Sequence, residues 1–138
     1  MFYYVEPEVS GGFGDNAIID SSVHPPKVTK LHVEFDGWLG DDLLETFPCY
    51  IISEGLTKEI EAENLTGFIL DEVEVSKSNQ FEEMYPKREL PKFFWLNLQG
   101  VCEKDDFGFS DDYRLVVSER ALKVLKNWKV EEADIELV

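Results

Sequence analysis

Apolar and polar positions along the chain change period several times, and each change marks an element. From Val28 to Phe35 the residues alternate, with Leu31, Val33 and Phe35 on one side and Lys30, His32 and Glu34 on the other. A period of two is the mark of a half-buried strand. Phe2 to Val5, Phe68 to Val75, Tyr113 to Val117 and Ala133 to Val138 also read as strands, and Cys49 to Ile52 as a short apolar one. Phe93 to Leu98 is the most hydrophobic stretch and belongs at the centre of a sheet. Leu56 and Ile60 have helical spacing behind Ser53-Glu54, which supplies a capping hydroxyl and a first-turn acid, and this helix should end near Thr66-Gly67. Ser78 caps a short helix carrying Phe81, Met84 and Tyr85, which Pro86 stops. Ser118-Glu119 opens a third, with Ala121, Leu122 and Leu125 facing inward.

The remainder reads as connection. Ser10 to Asn16 is turn-rich, Ser21 to Lys27 holds Pro25-Pro26, Trp38 to Leu44 is a loop leading into one helical turn, and Glu103 to Asp112 is an acidic loop. Two pieces resemble each other: Tyr50 to Glu54, its helix and Val73 to Val75 mirror Leu115 to Glu119, its helix and Ile135 to Leu137. Parallel neighbouring strands would make each a right-handed crossover unit. The expected fold is α+β, a mixed sheet with two or three short helices and two strand–helix–strand units. It fills one domain over residues 1–138, with N-terminal strands and connectors in 1–37 and the core in 38–138.

Composition adds a class. Hydrophobic residues make up 43% of the 138, with ten Phe, five Tyr and three Trp, enough for a packed core. No apolar run approaches the roughly 18 residues of a membrane span, and the first residues lack a signal peptide's basic region, so the expectation is a soluble cytoplasmic protein. Charge changes the picture more. Asp and Glu number 29 against 13 Lys and Arg, a formal net charge of −16. Such a surface repels nucleic acid and anionic membranes and attracts a basic protein partner. The same charge would also serve solubility alone.

Candidate chemistry is sparse. Cys49 and Cys102 are each without a near second cysteine, and Cys49 reads as a buried small hydrophobe. His32 on the polar strand face and His24 before Pro25 read as surface histidines, with no nucleophile elbow near either. The doublets Asp41-Asp42, Asp105-Asp106 and Asp111-Asp112 would hold Mg²⁺ or Ca²⁺ if they converged, which is the route to a carboxylate-based, metal-dependent enzyme. None fits a calcium-loop spacing, and no catalytic residue, cofactor or metal site is assigned. What stands out is a binding composition. Asp105, Asp106, Phe107, Phe109, Asp111 and Asp112 set two rings among four acids, and Trp38 with Asp41 and Asp42 repeats the theme. Aromatic anchors within charge make protein-binding hot spots. In the alternative reading the rings tuck into the core and the aspartates hydrate loops.

From Trp38 onward the chain resembles immunity proteins of bacterial polymorphic-toxin systems, the group with a Myxococcus-type immunity domain. The residues that carry the likeness are Asp41-Asp42-Leu43-Leu44, Tyr50-Ile51-Ile52-Ser53-Glu54 and Leu115-Val116-Val117-Ser118-Glu119-Arg120-Ala121-Leu122, followed by Leu125 and the closing strand. The resemblance implies a non-catalytic role, binding and neutralising a cognate toxin in the cytoplasm of the producing cell. A regulatory or scaffolding module with another partner is the remaining reading.

Overall fold

The computed structural model describes residues 1–138. Thirteen strands and three helices follow one another as β1 (Phe2–Glu6), β2 (Gly11–Phe13), β3 (Ile18–Asp20), β4 (Lys27–Lys30), β5 (His32–Phe35), β6 (Leu43–Thr46), β7 (Cys49–Ser53), α1 (Glu54–Ala62), β8 (Phe68–Asp71), β9 (Glu74–Lys77), α2 (Asn79–Met84), β10 (Phe93–Leu98), β11 (Phe107–Phe109), β12 (Leu115–Ser118), α3 (Glu119–Lys126) and β13 (Asp134–Leu137). The strands form sheets of order β11-β12-β1-β13, β6-β7-β10-β8, β2-β5-β9 and β3-β4. This is an α+β fold. No helix is long and apolar enough to cross a membrane.

The sheet built on β7 and β10 has a hydrophobic cluster on each face. Tyr50 and Ile52 of β7 join Leu56, Ile60, Leu115, Val117 and Leu125 in one cluster. Cys49 and Ile51 join Val33, Phe35, Phe81 and Phe93 in the other. Side chains of a strand alternate between faces, so a strand covered on both sides must be apolar at every position. β7 is buried along its whole length for that reason. β10 is interior, paired with β7 and β8, as its hydrophobicity predicts.

Both strand–helix–strand units are present, in a split form. β7 and β8 each run antiparallel to β10, so they are parallel to one another with β10 between them. β12 and β13 flank β1 in the same way. The flanking strands are therefore not neighbours, and the return strand of the first unit is β8, not Val73 to Val75. The units meet through their helices: α1 packs on α3, and Gly55 admits the Trp128 ring where a Cβ would stand 2.7 Å from it.

Several expectations need correction. The stretch Phe68 to Val75 is two strands, β8 in the β7 sheet and β9 parallel to β5 in another. The run Val28 to Phe35 breaks at Leu31, with β4 pairing β3 and β5 pairing β2, although Leu31, Val33 and Phe35 are all buried as its alternation requires. Residues 38–44 contain no helical turn. Leu43 and Leu44 enter opposite clusters, and only a strand sends adjacent residues to opposite faces. β2 and β11 lie inside segments expected to be loops. Helix α1 stops before Gly67 because Asn64, at φ 53°, takes the left-handed position. Leu65 N–H then reaches the Ile60 carbonyl and Asn64 N–H the Glu61 carbonyl, a Schellman close.

Candidate functional site

The segment after β5 is shaped by a buried carboxylate. Glu8 accepts from Ser10 Oγ and Leu39 N–H, both at 2.8 Å, and from Asp41 N–H at 3.4 Å. Two backbone N–H groups, separated by one residue and turned onto one carboxylate, fix the loop between them. Trp38 Nε1 donates to the Asp41 carbonyl at 2.9 Å, locking the indole over that loop. The aspartates themselves turn inward. Asp41 is fully buried and accepts from Glu131 N–H (3.1 Å) and Glu132 N–H (2.8 Å), while Asp42 accepts from Lys129 N–H (2.9 Å). The doublet staples this loop to the chain following α3. Expected as partner-facing acids, Asp41 and Asp42 are instead spent on backbone donors.

Trp38 does face a cleft. A groove of about 380 Å³ is lined by Val9, Trp38, Leu39, Met84 and Tyr85, with Asp36 and Glu8 among its polar atoms. Val9, Leu39 and Met84 are 67%, 58% and 56% exposed, so three large apolar side chains left in water converge on one feature. Scattered exposed apolar residues are ordinary, whereas a contiguous group marks an interaction surface. The Arg88 guanidinium stacks 4.6 Å from the Trp38 ring and 5.5 Å from Tyr85, which holds the indole in place. Glu83 shares a helical face with Gln80, another lining residue, and is exposed, which adds acid near the rim. Sequence reasoning missed Val9 and Arg88, and it placed Met84 and Tyr85 on a short helix without assigning them to a site; only the third dimension joins β1's exit, the Trp38 loop and α2.

The acidic loop divides between structure and surface. Asp106 is a hub, accepting from Thr66 N–H (2.9 Å), Ser118 Oγ (2.6 Å) and Arg120 Nη2 (2.7 Å). Burial would raise its carboxyl, but the bonds from Arg120, Ser118 and Thr66 prevail and hold it at about 2. Phe107 is fully buried, edge-on to Phe68 at 5.5 Å, and so is no surface anchor. Phe109 is partly covered against Tyr50 and Tyr113. Asp105 accepts from Val101 N–H at 2.7 Å and closes its own loop. Asp111 and Asp112 are exposed and line a separate acidic cleft of about 450 Å³ with Tyr4 and Glu103, where Ser110 Oγ donates to Asp112.

The nine candidates thus fall into different places. Trp38 lines one cleft, Asp111 and Asp112 another with no residue in common, and Asp41, Asp106 and Phe107 lie inside. The three aspartate doublets do not converge, and no three His, Cys, Asp or Glu side chains group to hold a metal ion.

His32 is also a correction, buried rather than on a polar surface. Its Nε2 lies 2.7 Å from Ser76 Oγ and 3.8 Å from Glu74, which resembles a nucleophile–base pair. The proton assignment is the reverse of what such a pair needs. Asn16 N–H donates to Nδ1 at 3.1 Å, so a neutral ring carries its proton on Nε2 and donates it to Ser76. The ring has no lone pair facing the hydroxyl. Gly14 presses so closely on it that a Cβ there would stand 2.1 Å from the imidazole, and this cluster pins β2, β5 and β9 together.

No family model, curated protein or solved structure matches the chain.

Proposed function

We propose that this protein is a non-catalytic immunity protein, which binds a cognate bacterial toxin in the cytoplasm and neutralises it by covering a basic active surface. The observation that carries this reading is the Trp38 groove, an apolar floor of Val9, Leu39 and Met84 with acid at its edge. It sits on a chain of net charge −16. A rigid indole in a partly desolvated groove is the usual core of a binding hot spot. Surrounding negative potential speeds capture of a cationic partner and disfavours anionic ones. The resemblance of residues 38 onward to immunity proteins points the same way.

Co-expression with the toxin encoded beside its gene tests this. The expected result is restored growth and a stoichiometric complex, weakened by Trp38→Ala or Leu39→Glu. Continued toxicity with no complex would overturn it.

A further inference from the structure

A smaller pocket, of about 180 Å³, lies where the end of β1 meets β6, β7 and the start of β12. Three aromatic residues line it, Phe47, Tyr50 and Tyr113, together with two carboxylates, Glu6 and Glu45. Neither carboxylate has a cation within 4 Å. Arg114 also borders the pocket but is engaged elsewhere, with its guanidinium 3.8 Å from the Tyr4 ring centre and 3.5 Å from Glu136. Tyr50 is only 1% exposed, and its hydroxyl is engaged by the backbone of Leu115. Tyr113 holds φ 61°, and from that conformation its ring stands 6.5 Å from Phe109 and edge-on to His24 at 5.4 Å.

The electrostatics agree with this geometry. Burial raises the Glu45 carboxyl, and the Glu6 charge raises it further. Burial raises the Tyr50 phenol, with Glu45 and Glu6 adding to the effect. Two carboxylates without an ion-pair partner face a single bordering guanidinium, that of Arg114, so negative charge prevails here. Anions are excluded on that ground. No third His, Cys, Asp or Glu joins the two carboxylates in a ligand set, and much of the remaining wall is aromatic. Ring faces and carboxylates together suit a cation with an apolar coat. The volume is below the 300–1,000 Å³ or so of ordinary small-molecule pockets, and fits a head group only.

We propose that this pocket binds an alkylammonium group, either a free amine or the end of a lysine side chain. The site shares no residue with the Trp38 groove, so its fate is separate from that of the immunity reading.

Ring-proton NMR of the full chain, titrated with tetramethylammonium, butylammonium and a short lysine peptide, tests it at a pH where imidazoles are neutral. Saturable shifts of Tyr113 and Phe47 are expected with the cations and none with the neutral isostere 3,3-dimethylbutan-1-ol. Tighter binding of the peptide would identify a lysine as the source, and equal or weaker binding a free amine. Glu45→Gln should weaken binding about fivefold or more, and Tyr113→Leu serves as the second variant if the first disturbs folding. Trp38→Ala should leave the shifts unchanged. Absence of saturation, an equal response to the alcohol, or unchanged binding in both pocket variants would overturn the proposal.

Discussion

Arg120 Nη2 lies 2.7 Å from Asp106 Oδ2, and the same guanidinium donates to the carbonyls of Glu63 (3.1 Å) and Asn64 (3.2 Å). One side chain thereby closes the C-terminal end of α1 while its partner carboxylate receives Ser118, the residue that opens α3. The two halves differ in exposure, the Arg120 side chain at 55% and Asp106 at 11%. Asp106→Ala should therefore cost about 2–3 kcal/mol, because it strands Thr66 N–H and the Ser118 hydroxyl as well as the guanidinium. Arg120→Ala should cost less, since its guanidinium is exposed and solvent screens its charge. Urea unfolding of the two variants checks the order; equal losses would show that the ion pair, not the buried carboxylate, holds the junction.

The same carboxylate sets an acid limit. Its folded value, about 2, lies below the ordinary 3.8, so its contribution is fully present above pH 3.8 and is lost as pH falls toward 2. Glu45 has the opposite sign. Its carboxyl is raised by burial and by Glu6, so its ionised form burdens the fold at neutral pH, and that burden is relieved by acid. Denaturant midpoints measured across this range should fall less steeply for Asp106→Asn than for the unaltered protein. Glu45→Gln should raise the midpoint at neutral pH. A Glu45→Gln variant less stable at neutral pH would contradict the second assignment.

Two serines at corresponding places in the two split units behave differently. Ser118 Oγ accepts from Ala121 N–H at 3.0 Å and caps α3, whereas Ser53 makes no capping bond and its buried hydroxyl has no partner. Replacing a working cap costs about 1 kcal/mol, while removing an orphaned buried hydroxyl is neutral or stabilising. Ser118→Ala should lower the urea midpoint and Ser53→Ala should not. A loss of similar size at Ser53 would mean that its hydroxyl finds a partner in solution.

The parts legible in the chain are those where one local rule dominates. Alternation identified the buried side of Val28 to Phe35, and Ser78 and Ser118 opened their helices where capping chemistry places them. Misreadings arose where distant contacts decide. No glycine or proline separates β8 from β9, so the switch of sheet between Asp71 and Glu74 has no local mark. Asp41 and Asp106 look like surface acids in sequence because the donors that bury them lie far along the chain, at Glu131, Glu132 and Arg120. His32 falls on the polar side of its strand, yet it is buried beneath Ser76 of a parallel strand contributed much later. The Trp38 groove was half visible. Its tryptophan stood out, whereas Val9, Met84 and Tyr85 joined it only through folding.

Amide hydrogen exchange of the protein alone and with the proposed toxin partner bears most directly on the central claim, that the Trp38 groove seats that partner. The account predicts slowed exchange in residues 36–39 and 80–85, with little change at the exposed β3–β4 pair. Protection confined to other surfaces, with the groove as open in the complex as in the free protein, would contradict it.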